Sequence, residues 1–181
     1  ASGKNRTIAG AQLTVGKLGN ALNFNGTNNY VEFSKALPSF TEFTASAWVK
    51  INDLSTVRGI FTFGGMNSRG FRFRVNIDGS VWMLMAGGSN PVPYDILMTK
   101  EGMIHPGTFY HITVAGKSGQ YMRIYINGAL AKEKITNQTI DTTFIPGTHP
   151  PYIGTSWSPS LELMNGIIDE VIIWSKALTE E

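Results

Sequence analysis

An all-β fold, an antiparallel two-sheet sandwich or jelly roll, follows from three observations in the sequence. About ten short apolar-alternating segments are separated by turn residues, no stretch of useful length shows a 3.6-residue period, and two hairpins carry their turn chemistry in place. In the first hairpin, Phe71-Arg72-Phe73-Arg74-Val75-Asn76 alternates with period two, Asp78-Gly79 supplies the turn, and Val81-Trp82-Met83-Leu84-Met85 resumes the pattern. In the second, Tyr121 to Ile126 leads into Asn127-Gly128, a type I′ signal, and then Ala129 to Lys134. Further strands are expected at 21–25, 30–33, 43–51, 59–63, 108–115, 152–154 and 166–174. Asn25-Gly26, Gly64-Gly65, Gly87-Gly88, Ser118-Gly119 and Pro150-Pro151 punctuate them. The segment Ser89–Pro106 reads as a long loop.

At 181 residues the chain has the size of one domain with one core, and residues 1–181 are taken as a single unit. Ala1–Gly19 is Gly-rich and shows no initiating strand, while Thr179-Glu180-Glu181 has the form of a helix N-cap with an acidic first turn. Both ends are expected to be cut from a longer chain. Charged residues make up only 15% and the net charge is +2, with Lys and Arg scattered, so no phosphate-tracking surface and no nucleic-acid partner is expected. No apolar run approaches the roughly 20 residues of a membrane span, so no membrane insertion is expected either. The absence of cysteine excludes disulfides, thiolate metal sites and cysteine nucleophiles.

Five stretches carry a family resemblance: GKLGNALNFNGTNNYVEF at 16–33, FTASAWVKI at 43–51, FYHITVAG at 109–116, MRIYINGALA at 122–131 and NGIIDEVIIWSKALTEE at 165–181. In this order the chain resembles the LamG-like (laminin G type 3), concanavalin A-like lectin/glucanase jelly-roll domains of bacterial and phage surface proteins and polysaccharide-degrading enzymes. The resemblance implies two curved antiparallel sheets and, in most members, a non-catalytic role in glycan binding, adhesion or spacing. The family pattern carries acidic residues where this chain has Asn25, Asn28 and Asn29.

Several constellations are candidates for chemistry. Alternation along the last strand puts one carboxylate on each apolar face, Asp169 on one and Glu170 on the other, with Trp174 read as core on a doubly covered strand. A desolvated carboxylate needs a cation or several donors. Ca²⁺ fits such a site, and the resemblance implies that Asp169 holds a structural calcium near the turn of Asn25 and Gly26. Backbone N–H donors or a Lys or Arg partner are the alternative.

On the first hairpin Arg72, Arg74 and Trp82 oppose the Phe and Met residues, and on the second Tyr121, Arg123 and Tyr125 oppose Met122, Ile124 and Ile126. Aromatic and guanidinium groups on one face make a glycan surface, with the arginines favouring acidic sugars. Cation–π packing that only covers the sheet is the alternative. Trp157 and Tyr94, both read as loop aromatics, join Trp82, Arg72 and Arg74 as candidate ligand contacts. His105, His111 and His149 make no metal-type pair, and no carboxylate alternation of the kind used by glycosidases is present, so no enzyme is expected.

The function expected is a non-catalytic carbohydrate-binding or adhesion module of an extracellular, cell-surface or virion-surface protein, with a polysaccharide or glycan as partner. The alternative is a structural or assembly domain, such as a capsid decoration or spacer, contacting neighbouring domains or subunits.

Overall fold

The computed structural model describes residues 6–34, 40–63, 70–87, 94–140 and 150–178, and these form strands and turns with no helix. In chain order the strands are β1 (Arg6–Ala9), β2 (Gln12–Val15), β3 (Asn20–Asn25), β4 (Tyr30–Phe33), β5 (Glu42–Ile51), β6 (Arg58–Phe63), β7 (Gly70–Val75) and β8 (Val81–Ala86). They continue as β9 (Tyr94–Met98), β10 (Phe109–Lys117), β11 (Tyr121–Ile126), β12 (Ala129–Ile135), β13 (Tyr152–Ile153), β14 (Thr155–Ser158), β15 (Leu161–Leu163) and β16 (Asn165–Trp174).

Two seven-stranded antiparallel sheets result. The first runs β1-β4-β13-β6-β7-β8-β9 and the second β12-β11-β10-β5-β16-β3-β2, with β14-β15 as a separate small hairpin. The order arises from alternation. Every second residue of β5, from Phe43 through Ala45, Ala47 and Val49 to Ile51, is buried toward the other sheet. Phe61, Phe71, Phe73, Val75, Met83 and Met85 meet them from the first sheet. Phe43 stacks on Phe71 at 3.7 Å between ring centroids, joining the two layers directly. Each Phe, Val, Ile and Met among them contributes roughly 1.5–3 kcal/mol by leaving water.

The second hairpin turns as its composition predicts, with positive φ at Asn127 (52°) and Gly128 (83°). The N-terminal segment departs from expectation, since it does form strands. β1 pairs with β4 in the first sheet, and β2 pairs with β3 in the second. Both are short, and their apolar residues face water (Leu13 79% and Val15 80% exposed), so the burial pattern that marks a strand is missing. Part of the expected 89–106 loop is likewise strand β9. Its first five residues, the Gly64-Gly65 turn and Thr179-Glu180-Glu181 lie outside the described residues.

β16 corrects a more consequential expectation. Between Asp169 and Ile172 its register against β5 slips, with Glu170 in a left-handed conformation (φ 48°). This one-residue bulge reverses the alternation beyond it. Ile168, Val171 and Ile173 therefore pack on the core, while Ile172 and Trp174 turn to the outer face. Trp174 is not core, and the strand is not covered on both sides.

Candidate functional site

All five expected ligand contacts lie on the outer face of the first sheet, and four of them cluster there. Cross-strand register sets Arg72 opposite Leu84 and Arg74 opposite Trp82. The β14–β15 hairpin lies over this face at Gly59, where a Cβ would sit 2.0 Å from Ser156 N and 2.4 Å from Glu162 O, so only glycine admits it. The hairpin brings Trp157, which is on strand β14 rather than in a loop. Arg72 stacks over Trp157 at 3.9 Å and reaches Trp82 at 5.9 Å, and Arg74 covers Trp82 at 4.2 Å. Arg74 is ion-paired with Glu162, which also accepts a hydrogen bond from Ser156 Oγ. Burial lowers the Arg72 guanidinium to about 10, with the Glu162 charge opposing the shift.

In this arrangement Trp82 is 8% exposed and its ring face is taken by guanidinium. Tyr94 stands apart at the start of β9, opposite Ala86. It begins an exposed row on the same face with Ile96 and Met98.

The expected calcium ligands do not converge. Asn165 on β16 faces Asn25, whereas Asp169 lies four residues further along, about 13 Å away at strand rise. Asp169 is buried and its Oδ2 accepts the Leu18 N–H at 2.8 Å, which is the backbone-donor alternative. The Asn25 Oδ1 accepts the N–H groups of Thr27 and Asn28, closing its own turn. A Cβ on Gly26 would lie 3.3 Å from Arg58 Nη1, so a guanidinium occupies the neighbourhood where a cation would sit. This donor set does not fit one ion. Among the described residues, no three His, Cys, Asp or Glu side chains are grouped to hold a metal.

A groove of about 280 Å³ opens instead on the outer face of the second sheet. Its lining comes from neighbouring strands through one register: Ser46 on β5 faces Thr113 on β10, which faces Tyr125 on β11, and Thr44 faces Ala115. Trp174, turned outward by the bulge, and Leu178 stand at one end. His111, whose ring centroid is 5.1 Å from that of Trp48, stands at the other. Small side chains on the floor leave the space; ring-bearing ones bound it.

Two polar groups there are notable. Ser46 is 2% exposed, and its Oγ has no hydrogen-bond partner among the described residues. His111 is half-buried, and burial lowers its imidazole below the usual value, so it is neutral at pH 7. Its backbone N–H donates to Asn127 Oδ1 at 2.9 Å, fixing β10 against the hairpin turn.

Sequence reasoning placed Tyr125 on a candidate binding face but missed Ser46, Thr113, His111 and Trp174 as a group. Alternation in β5 and β10 already carried the signal for the first three. The bulge concealed the fourth.

Two stacked antiparallel sheets with non-sequential strand order define a β-jelly-roll domain. The chain belongs to the concanavalin A-like lectin/glucanases superfamily, whose family profile matches residues 25–181. No curated protein matches the sequence. Among solved structures it is similar to the binding domain of Paraclostridial Mosquitocidal Protein 1, with 18% identity and a TM-score of 0.73 over 97% of this chain and 45% of that one. It is also similar to domain 4 of AbnA, a GH43 extracellular arabinanase from Geobacillus stearothermophilus, in complex with arabinotriose (22% identity, TM-score 0.67, 99% and 87% covered). A third is the botulinum neurotoxin serotype D ligand binding domain in complex with N-acetylneuraminic acid (16% identity, TM-score 0.70, 99% and 45% covered). The chain thus spans just under half the length of the toxin domains it matches.

Proposed function

We propose that this domain is a non-catalytic carbohydrate-binding module of an extracellular or cell-surface protein, and that the groove on the second sheet holds the sugar. The observation that carries the reading is Ser46: a buried hydroxyl without a partner, on the floor of a groove walled by Trp174 and Tyr125. An unpaired buried hydroxyl costs stability; the Ser46 Oγ is closed to water in the free protein, so a ligand oxygen satisfies it only by parting the side chains that cover it. Aromatic faces beside hydroxyl and imidazole groups match a sugar ring, which is apolar on its C–H side and polar at its edge. Family membership and the sugar complexes of similar domains support the same reading.

Affinity electrophoresis through a panel of polysaccharides tests the proposal. Retardation by at least one polysaccharide, abolished by Thr113→Trp and retained in Trp157→Ala, is the expected outcome. No retardation across the panel would reject it.

An assembly role is the second reading, favoured by the exposed row of Tyr94, Ile96 and Met98 (60%, 38% and 47%) on strand β9. Concentration-dependent self-association lost in Ile96→Lys would support that role.

A further inference from the structure

We infer that the groove takes one uncharged sugar residue, a chain end or side branch, rather than the middle of a polysaccharide or an acidic residue. This inference rests on the groove being the sugar site. Three features carry it.

The first is charge. Thr44, Ser46, Thr113, Tyr125 and Trp174 bring hydroxyls and rings but no formal charge to the lining. The cations at its margin lie outside the lining: Lys17 lies over Trp48 at 5.4 Å, Arg123, opposite Ala115, lies over Tyr121 at 4.1 Å and pairs with Glu133, and Lys176 is exposed on the segment before Leu178. A carboxylate or sulfate entering the groove would find no counter-ion in the lining itself, which is unfavourable. His111, kept neutral by its burial, offers a hydrogen-bonding edge in place of a charge.

The second is size. At about 280 Å³ the groove lies just under the roughly 300–1,000 Å³ of pockets that hold drug-sized ligands, so it suits a single ring with its substituents.

The third is closure along the strands. Residues 176–178 fold back across β5, pinned by one hydroxyl. Thr44 Oγ1 donates to the Lys176 carbonyl and accepts the Leu178 N–H, both at 2.8 Å. This strap sets Leu178 beside Trp174 as an end wall, while His111 on Trp48 closes the opposite end two register rows away. Successive rows of one face are about 7 Å apart, so a ring fits between the walls and an extended chain lying along the strands meets one of them.

Saturation-transfer NMR and calorimetry on the whole chain test this. The probes are methyl glycosides of neutral sugars, the matching uronic acids, the methyl glycoside of N-acetylneuraminic acid, and oligosaccharides of one to four residues of whichever neutral sugar binds. The expected result is that one neutral glycoside binds, its uronic acid binds at least tenfold more weakly, and lengthening the chain changes Kd less than twofold. Ser46→Ala should weaken binding about tenfold and Thr113→Trp should abolish it, with circular dichroism confirming the fold of each. Affinity that rises more than tenfold from one residue to four, or acidic sugars binding as tightly as neutral ones, would overturn the inference while leaving a sugar site in place. Binding unaffected by either variant would remove the groove as the site. Failure of every sugar to bind would overturn the carbohydrate reading itself.

Discussion

Replacing Ser46 with alanine removes one oxygen from the groove floor and leaves the β-carbon where it is. In most buried positions such a change breaks a hydrogen bond and destabilises the protein. Here the Oγ has no partner among the described residues, and Ser46 is 2% exposed. Burying an unsatisfied polar group costs about 1–3 kcal/mol, and alanine forms strands slightly less well than serine by a few tenths. The free protein should therefore become more stable by about 1 kcal/mol, which for a domain of this size raises Tm by roughly 2–4 °C. Urea and thermal unfolding of the wild type and Ser46→Ala, both without sugar, measure this. A gain in stability with a loss of ligand affinity is the trade expected of a binding group held unsatisfied in the free state. A loss of stability greater than about 0.5 kcal/mol would mean that Ser46 already holds an intrachain bond, and the argument from its hydroxyl would fail.

Three other perturbations test the surroundings. Gly59→Ala should cost about 3 kcal/mol or more in urea unfolding, because its Cβ would meet the Ser156 backbone nitrogen at 2.0 Å and the β14–β15 hairpin could not seat; a cost below about 1 kcal/mol would contradict that packing. Arg74→Ala and Glu162→Ala should each destabilise by about 1–2 kcal/mol and share a coupling in a double-mutant cycle, since both partners are about one-fifth exposed, between the surface and buried limits; additive effects would show the pair to be independent. The His111 imidazole, with its folded value depressed by burial, favours the fold fully above about pH 6.5 and loses that contribution as pH falls through the folded value. An NMR titration should place its midpoint below about 6.5, with sugar affinity falling on the acid side, and a midpoint at or above the free-imidazole value would refute the assignment.

Most of the architecture was legible because the core strands obey their period. Phe71, Phe73 and Val75 face inward and Arg72 and Arg74 outward, as alternation requires, and the Asn127-Gly128 turn fixes the second hairpin. β1 and β2 escaped notice because Leu13 and Val15 are exposed, so there is no buried face to read. The candidate site was less legible. Arg72, Arg74, Trp82 and Trp157 do assemble, but the aromatic faces meet guanidinium groups instead of an open surface. No sequence pattern distinguishes these outcomes, because both need the same residues on the same face. The calcium set failed on distance: Asp169 and Asn25 belong to neighbouring strands, and only the pairing register reveals the four-residue offset. Trp174 was assigned inward because a bulge at Glu170, a residue with no special preference for positive φ, is invisible to period counting.

Backbone amide mapping by NMR during titration with the neutral glycoside that binds bears most directly on the location of the site. Chemical-shift changes centred on Ser46, Thr113, Tyr125 and Trp174, with little change around Arg72, Trp157 and Tyr94, are the result expected. Changes confined to the latter three residues would contradict it and return the ligand to the outer face of the first sheet.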